Sequence, residues 1–195
     1  ASGQEIIRRY YAALNDLLKG TCSEEPAQKI ELLMNQAGVT IQDRKVVAAA
    51  LNRAQETQSP AAALELPDGR IITGKTSNLL GASAALLLNV LKELAGLGHE
   101  LHIISPEAIE PIQKLKVDYL KSRNPRLHTD EVLIALSTSA AANEDARLAL
   151  EQLPKLHGCQ AHTSVMLSDV DIKTFQKLGV QLTCESVYES GHGYY

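Results

Sequence analysis

The sequence predicts an α/β protein: a mixed, mostly parallel sheet layered with helices in Rossmann-like βαβ units, preceded by a small all-helical segment. Three observations predict it. Residues 1–58 carry apolar side chains only at helical spacing, with no alternating run. A short strand pattern, a long apolar helix and a second strand pattern then follow within 71–104. That order is a βαβ unit, which implies parallel strands and a crossover helix. A strand–helix–strand order recurs over 162–184. The boundary falls at Gln58-Ser59-Pro60, giving a helical segment 1–58 and an α/β domain 59–195.

In the helical segment, Ile6, Ile7, Tyr10, Leu14, Leu17 and Leu18 mark the first helix, which stops at Gly20. Ser23 opens a second, with Glu24, Glu25 and Pro26 in its first turn, and Gly38 ends it. Thr40-x-x-Asp43 resembles a capping box and starts the third, with Val46, Val47, Ala50, Leu51 and Ala54 inward. None of these residues has the look of catalysis. The segment suits a small bundle, a linker between domains or an interface.

Beyond the boundary, Pro67-Asp68-Gly69-Arg70 reads as a hairpin turn. Leu64-Glu65-Leu66 before it is short and alternating, which suits a hairpin arm rather than a buried central strand. A helix over 78–95 is apolar almost all round, so it is buried on most sides, under the N-terminal helices or in a subunit interface. Residues 100–104 form the next strand. Ser105-Pro106 caps a helix to about residue 122. A loop over 123–128 leads to a helix capped by Thr129, and Asn143 restarts it. Residues 162–167 form a strand, 170–178 a helix and 181–184 a last strand; the tail 189–195 reads as loose.

The composition narrows the function classes. Net charge is -4, which argues against a nucleic-acid partner held by phosphate contacts. Aromatics make up 4% with no Trp, so base-stacking platforms are not expected. Three cysteines, far apart and odd in number, suggest reduced thiols and a cytoplasmic location. The most apolar run, 79–91, is too short to span a bilayer, and no membrane partner is expected. No C-x-x-C or H-E-x-x-H motif occurs, so no metal site is assigned and the cofactor stays unknown.

Residues 69–76 match the P-loop pattern G-x-x-x-x-G-K-[ST] letter for letter. The pattern requires a strand before its first Gly and a helix at its Lys. Here the first Gly sits in the hairpin turn, and β-branched Ile71 and Ile72 occupy the cradle positions. The second half of the motif is different. Lys75, Thr76, Ser77 and Asn78 lie between a strand and a helix, where free N–H groups and the dipole favour an anion. In open α/β sheets, ligands bind outside the carboxyl ends of strands. Those ends here carry 73–78, Ser105 with Glu107, and Ser168 with Asp169; the loop with Arg126 and His128 closes over them. Lys75 and Arg126 supply charge, Thr76 and Ser77 hydroxyls, and His128 proton transfer, and Ser105 joins them as a ligand-binding candidate; Ser105 has a simple alternative as a helix cap, and Glu107 and Asp130 as first-turn acids.

Two long stretches carry a family resemblance. One is Leu64-Glu65-Leu66-Pro67-Asp68-Gly69-Arg70-Ile71-Ile72-Thr73-Gly74-Lys75-Thr76-Ser77-Asn78-Leu79-Leu80-Gly81-Ala82-Ser83. The other is Asn124-Pro125-Arg126-Leu127-His128-Thr129-Asp130-Glu131-Val132-Leu133-Ile134-Ala135-Leu136-Ser137. Together they resemble an uncharacterised bacterial family, domain-of-unknown-function family 1846, in its C-terminal part. The resemblance implies a longer protein, whose N-terminal part is then a partner of this one. It implies no reaction.

Three functional readings follow. The first is a C-terminal α/β domain that binds an anionic small molecule at strand-end loops. The second is a P-loop ATP- or GTP-binding protein, with Asp169 as the candidate acid for Mg²⁺. The third is an assembly module with no site of its own, a homo-oligomer, resting on the apolar helix 78–95 and the helical N-terminal part.

Overall fold

The computed structural model describes residues 2–189. Its centre is a four-stranded sheet of β1 (Ala61–Glu65), β2 (Ile71–Lys75), β3 (Gln160–Thr163) and β4 (Gln181–Cys184), in the order β2-β1-β3-β4. β1 pairs antiparallel with both β2 and β3, and only β3 and β4 are parallel. The expectation of a mostly parallel, Rossmann-like sheet is therefore corrected: the sheet is small, mixed and mostly antiparallel.

Eight helices flank it. They are α1 (Ser2–Leu18), α2 (Glu25–Ala37), α3 (Lys45–Thr57), α4 (Ala82–Leu94), α5 (Pro106–Lys114), α6 (Thr129–Ser139), α7 (Glu144–Leu150) and α8 (Asp169–Lys177). The pleat assigns them to faces. Ala63 packs with Val46 and Ala50 of α3. Its neighbours Ala62 and Leu64 face the opposite way, into the main core with Leu86, Leu87, Val90 and Leu91 of α4 and Phe175 of α8. α4 thus lies across the sheet from the N-terminal helices, not beneath them. The chain's own sheet, α6 and α7 cover it. The apolar residues of α4 are thus covered within the chain, which removes one of the two features behind the assembly reading and leaves the N-terminal helical part. Each fully buried Leu there stabilises the fold by about 1.5–3 kcal/mol.

The hairpin is as the turn residues predict. Gly69 takes φ 91, its N–H donates to the Leu66 carbonyl at 2.9 Å, and Asp68 Oδ1 accepts from the Arg70 N–H at 3.0 Å. Its first arm differs from expectation. β1 begins at Ala61, is buried along most of its length and lies inside the sheet. Small Ala side chains let α3 and α4 approach both of its faces.

Residues 100–104 are not a strand. Ile103 and Ile104 are buried in the main core, but no ladder receives their backbone. Instead Lys92 Nζ of α4 donates to the carbonyls of His99 at 3.0 Å and Leu101 at 3.4 Å. That side chain satisfies acceptors a sheet would otherwise have claimed. The genuine β-α-β unit is β3-α8-β4.

The N-terminal helices bind the sheet through buried polar groups. Arg44, which precedes α3, is 0% exposed; it donates to Thr183 Oγ1 at 3.0 Å and to the carbonyls of Ala161 and Gln181, each at 2.8 Å. Beside it His162, also 0% exposed, has Nδ1 2.6 Å from Thr183 Oγ1 and Nε2 3.1 Å from Glu185 Oε1. The Tyr11 ring of α1 lies against it at 4.8 Å.

Candidate functional site

Strand direction places the site. With β1 antiparallel to both β2 and β3, and β3 parallel to β4, three strands point the same way. The carboxyl ends of β2, β3 and β4 therefore share one edge of the sheet. A cleft opens there. Its outer groove has a volume of about 890 Å³ and is lined by Lys75, Thr76, Ser77, Asn78 and Arg126, facing the end of α3. An inner recess of about 50 Å³ lies behind it, sharing Thr76 and Arg126 and adding Ser83, His128, Ser168 and Asp171. Of the residues expected from sequence, Lys75, Thr76, Ser77, Asn78, Arg126 and His128 are brought together. Ser105 is not: it caps α5, accepting from the Ala108 N–H at 3.3 Å, and lines neither part of the cleft.

Three helices aim their N-termini at the recess: α4 through Gly81, α6 through His128 and α8 through Ser168. Two of these ends are closed by the protein. Asp171 Oδ1 accepts from the Thr129 N–H at 2.9 Å and from Thr129 Oγ1 at 2.7 Å, closing α6. Ser168 Oγ accepts from the Asp171 N–H at 3.3 Å, closing α8. The α4 end has no side-chain cap. No acceptor among the described residues meets the N–H groups of Ala82, Ser83 and Ala84.

His128 stands where α6 begins. Its Nδ1 lies 3.3 Å from Asp171 Oδ2. The hydrogen bond to Asp171 holds its pKa above the ordinary 6.5, against the opposing effect of burial. Burial pulls Asp171 toward protonation, yet the bonds from His128 and Thr129 outweigh it and keep the carboxyl below its ordinary pKa. Asn124 Nδ2 lies 3.5 Å from the other ring nitrogen. The supporting loop is tied down by Glu131 Oε1, which accepts from the His128 N–H at 2.8 Å and from Lys116 Nζ at 2.8 Å. Lys116 also donates to the Arg126 carbonyl. Arg126 Nε in turn donates to the Ser77 carbonyl at 2.7 Å, and its Nη1 lies 3.9 Å from Glu189.

Sequence reasoning missed Ser83, Asp171, Lys116 and Glu131. Asp171 lies in a first helical turn, where the dipole alone favours an acid, and nothing in the order of residues pairs it with His128, 43 positions away.

The P-loop reading ends on this geometry. Gly69 is in a hairpin turn, and Lys75 is the last residue of β2, paired with Ala61. α4 starts only at Ala82, after a loop in which Ser77 Oγ accepts from Leu79 and Leu80 N–H, each at 3.2 Å. Asp169, the candidate Mg²⁺ acid, is exposed and outside the cleft. Among the described residues no group of three or more His, Cys, Asp or Glu could hold a metal ion, and no helix is long and apolar enough to cross a membrane.

Residues 42–194 match the family described as Domain of unknown function DUF1846, C-terminal. The chain belongs to this family. It is 55% identical over 188 residues to a UPF0371 protein of Corynebacterium urealyticum, covering 96% of this chain and 38% of that protein. A UPF0371 protein of Streptococcus sanguinis is 50% identical over 189 residues, covering 97% of this chain and 38% of that protein. The chain thus spans under two-fifths of the length of the curated relatives it matches, within their longer sequences. The expected family resemblance is met, and so is its restriction to a C-terminal part.

Proposed function

We propose that the cleft binds an anionic small molecule, with His128 as the group that exchanges a proton with it. The convergence of three helix N-termini, one of them uncapped, on a recess that holds Arg126 and His128 beside Asp171 and Glu189, with Lys75 in the groove outside it, carries this reading. Aligned N–H groups and dipole ends attract negative charge, and a half-enclosed site strengthens the attraction by excluding water. His128 adds a third cation when protonated, the form its hydrogen bond to Asp171 favours. Its bond to Asp171 fixes the ring and leaves Nε2 as the atom for proton exchange. In a protein as long as the relatives, the missing portion is a further source of residues for this cleft, so the test belongs on the full-length protein.

The test is calorimetric titration of that protein with inorganic phosphate, glycerol 3-phosphate and citrate as probe anions. At least one binds, and Lys75→Ala and Arg126→Ala each weaken it about threefold or more. Binding left intact by both substitutions overturns the reading.

A further inference from the structure

The inner recess says which anion. We infer that it takes a terminal phosphoryl group, and that the ligand is a phosphate monoester whose hydroxyl-rich body lies in the outer groove; this rests on the cleft being an anion site. Two side chains in the recess have donors to spare. Ser83 is 2% exposed and Thr76 is 8% exposed, and neither hydroxyl has a hydrogen-bond partner among the described residues. Neither oxygen is among the fully buried atoms left without a partner, so both hydroxyls open onto the recess. Ser83 and Thr76 come from different elements, α4 and the end of β2, yet both line one small space. Beside them stand the three unmet N–H groups that open α4.

The donor count separates the candidate anions. A carboxylate offers two oxygens in one plane, and a bidentate partner such as Arg126 uses both. A terminal phosphoryl group offers three oxygens in a tetrahedral spread and up to two charges. Donors here approach from several sides: the α4 N–H groups, the Ser83 and Thr76 hydroxyls, Arg126 and the His128 ring. That surround matches the tetrahedral group. The groove beyond carries Lys75, Arg126 and Glu189 among many uncharged amides and hydroxyls, including Gln55, Gln58, Ser59, Asn78 and Ser164. These uncharged groups suit hydroxyls on the body of a ligand.

Full-length protein is titrated with inorganic phosphate, glycerol 3-phosphate and citrate, alongside Thr76→Val and Ser83→Ala variants. Phosphate and glycerol 3-phosphate bind, the ester more tightly, and each variant weakens both by about tenfold, as expected for a lost hydrogen bond to a charged acceptor. Citrate binding that depends on Lys75 and Arg126, with no phosphate binding, overturns the phosphoryl inference and leaves the anion site standing. Phosphate binding unchanged in both hydroxyl variants also overturns the inference. No binding of any probe overturns both. Thr76→Val is nearly isosteric and keeps the test open if Ser83→Ala fails to fold.

Discussion

Gly74 separates a packing account of the Gly-Lys-Thr letters from a phosphate-cradle account. A Cβ built there would lie 2.6 Å from Leu86 Cα and 2.8 Å from the Ala85 carbonyl carbon. Carbon atoms rest at about 3.5–4.0 Å, so Gly74→Ala creates an overlap of about 1 Å against helix backbone, which has no rotamer to yield. The strand backbone here is not in the left-handed region. In open space, Ala would therefore stabilise β2 by about 0.5–1 kcal/mol. Contact reverses the sign: β2 and α4 must separate, and the cost is about 1–3 kcal/mol net. In urea unfolding followed by circular dichroism, the midpoint falls by roughly 0.5–1 M. An unchanged or higher midpoint would refute the close approach of α4 to β2 and with it the reason for glycine at this position.

Other outcomes follow from buried titrating groups. Burial pushes the His162 pKa below 6.5, with Glu185 opposing. The unfolded chain then binds the proton first, so stability is unaffected above about pH 6.5 and falls as pH drops below it; His162→Gln flattens this slope in unfolding measured from pH 7.5 to 5. Asp171→Asn removes the carboxylate that His128 and Thr129 share, lowering the His128 pKa in an NMR titration and destabilising the fold by about 1–3 kcal/mol. With Asp171 intact, the raised His128 pKa means its ion pair stabilises fully below about 6.5 and is lost as pH rises through the higher folded value. Probe-anion affinity falls over that same rise, as the ring, set beside Asp171, Lys116 and Glu131, loses its proton.

Local signals were legible where a single residue does the work. Pro67-Asp68-Gly69-Arg70 made the hairpin, and Ser105 and Asn143 cap the helices they were expected to cap. Signals failed where a distant group took over a backbone duty. Residues 100–104 have the apolar content of a strand, but Lys92 takes up the carbonyls of His99 and Leu101. α4 begins later than its apolar pattern because Ser77 turns the chain, and Leu80 then bridges to Leu127 instead of joining the helix. Thr129 was expected as a cap; it is the first helical residue, and its hydroxyl serves Asp171.

Lys75, Arg126 and His128 meet at one cleft for a reason that does not depend on a parallel sheet. The strand-end rule holds for open, mostly parallel sheets. What the rule requires is only that strand ends face one edge, and inserting β1 in reverse between β2 and β3 leaves their directions alike. The loops after β2 and β3 meet, and the loop carrying Arg126 and His128 joins them through the bridge between Leu80 and Leu127. Ser105 fell outside because it follows no strand at all. Strand direction, rather than ladder type, thus brings Lys75, Arg126 and His128 to one cleft. The uncapped end of α4 then supplies the N–H groups that no pattern of side chains could have announced.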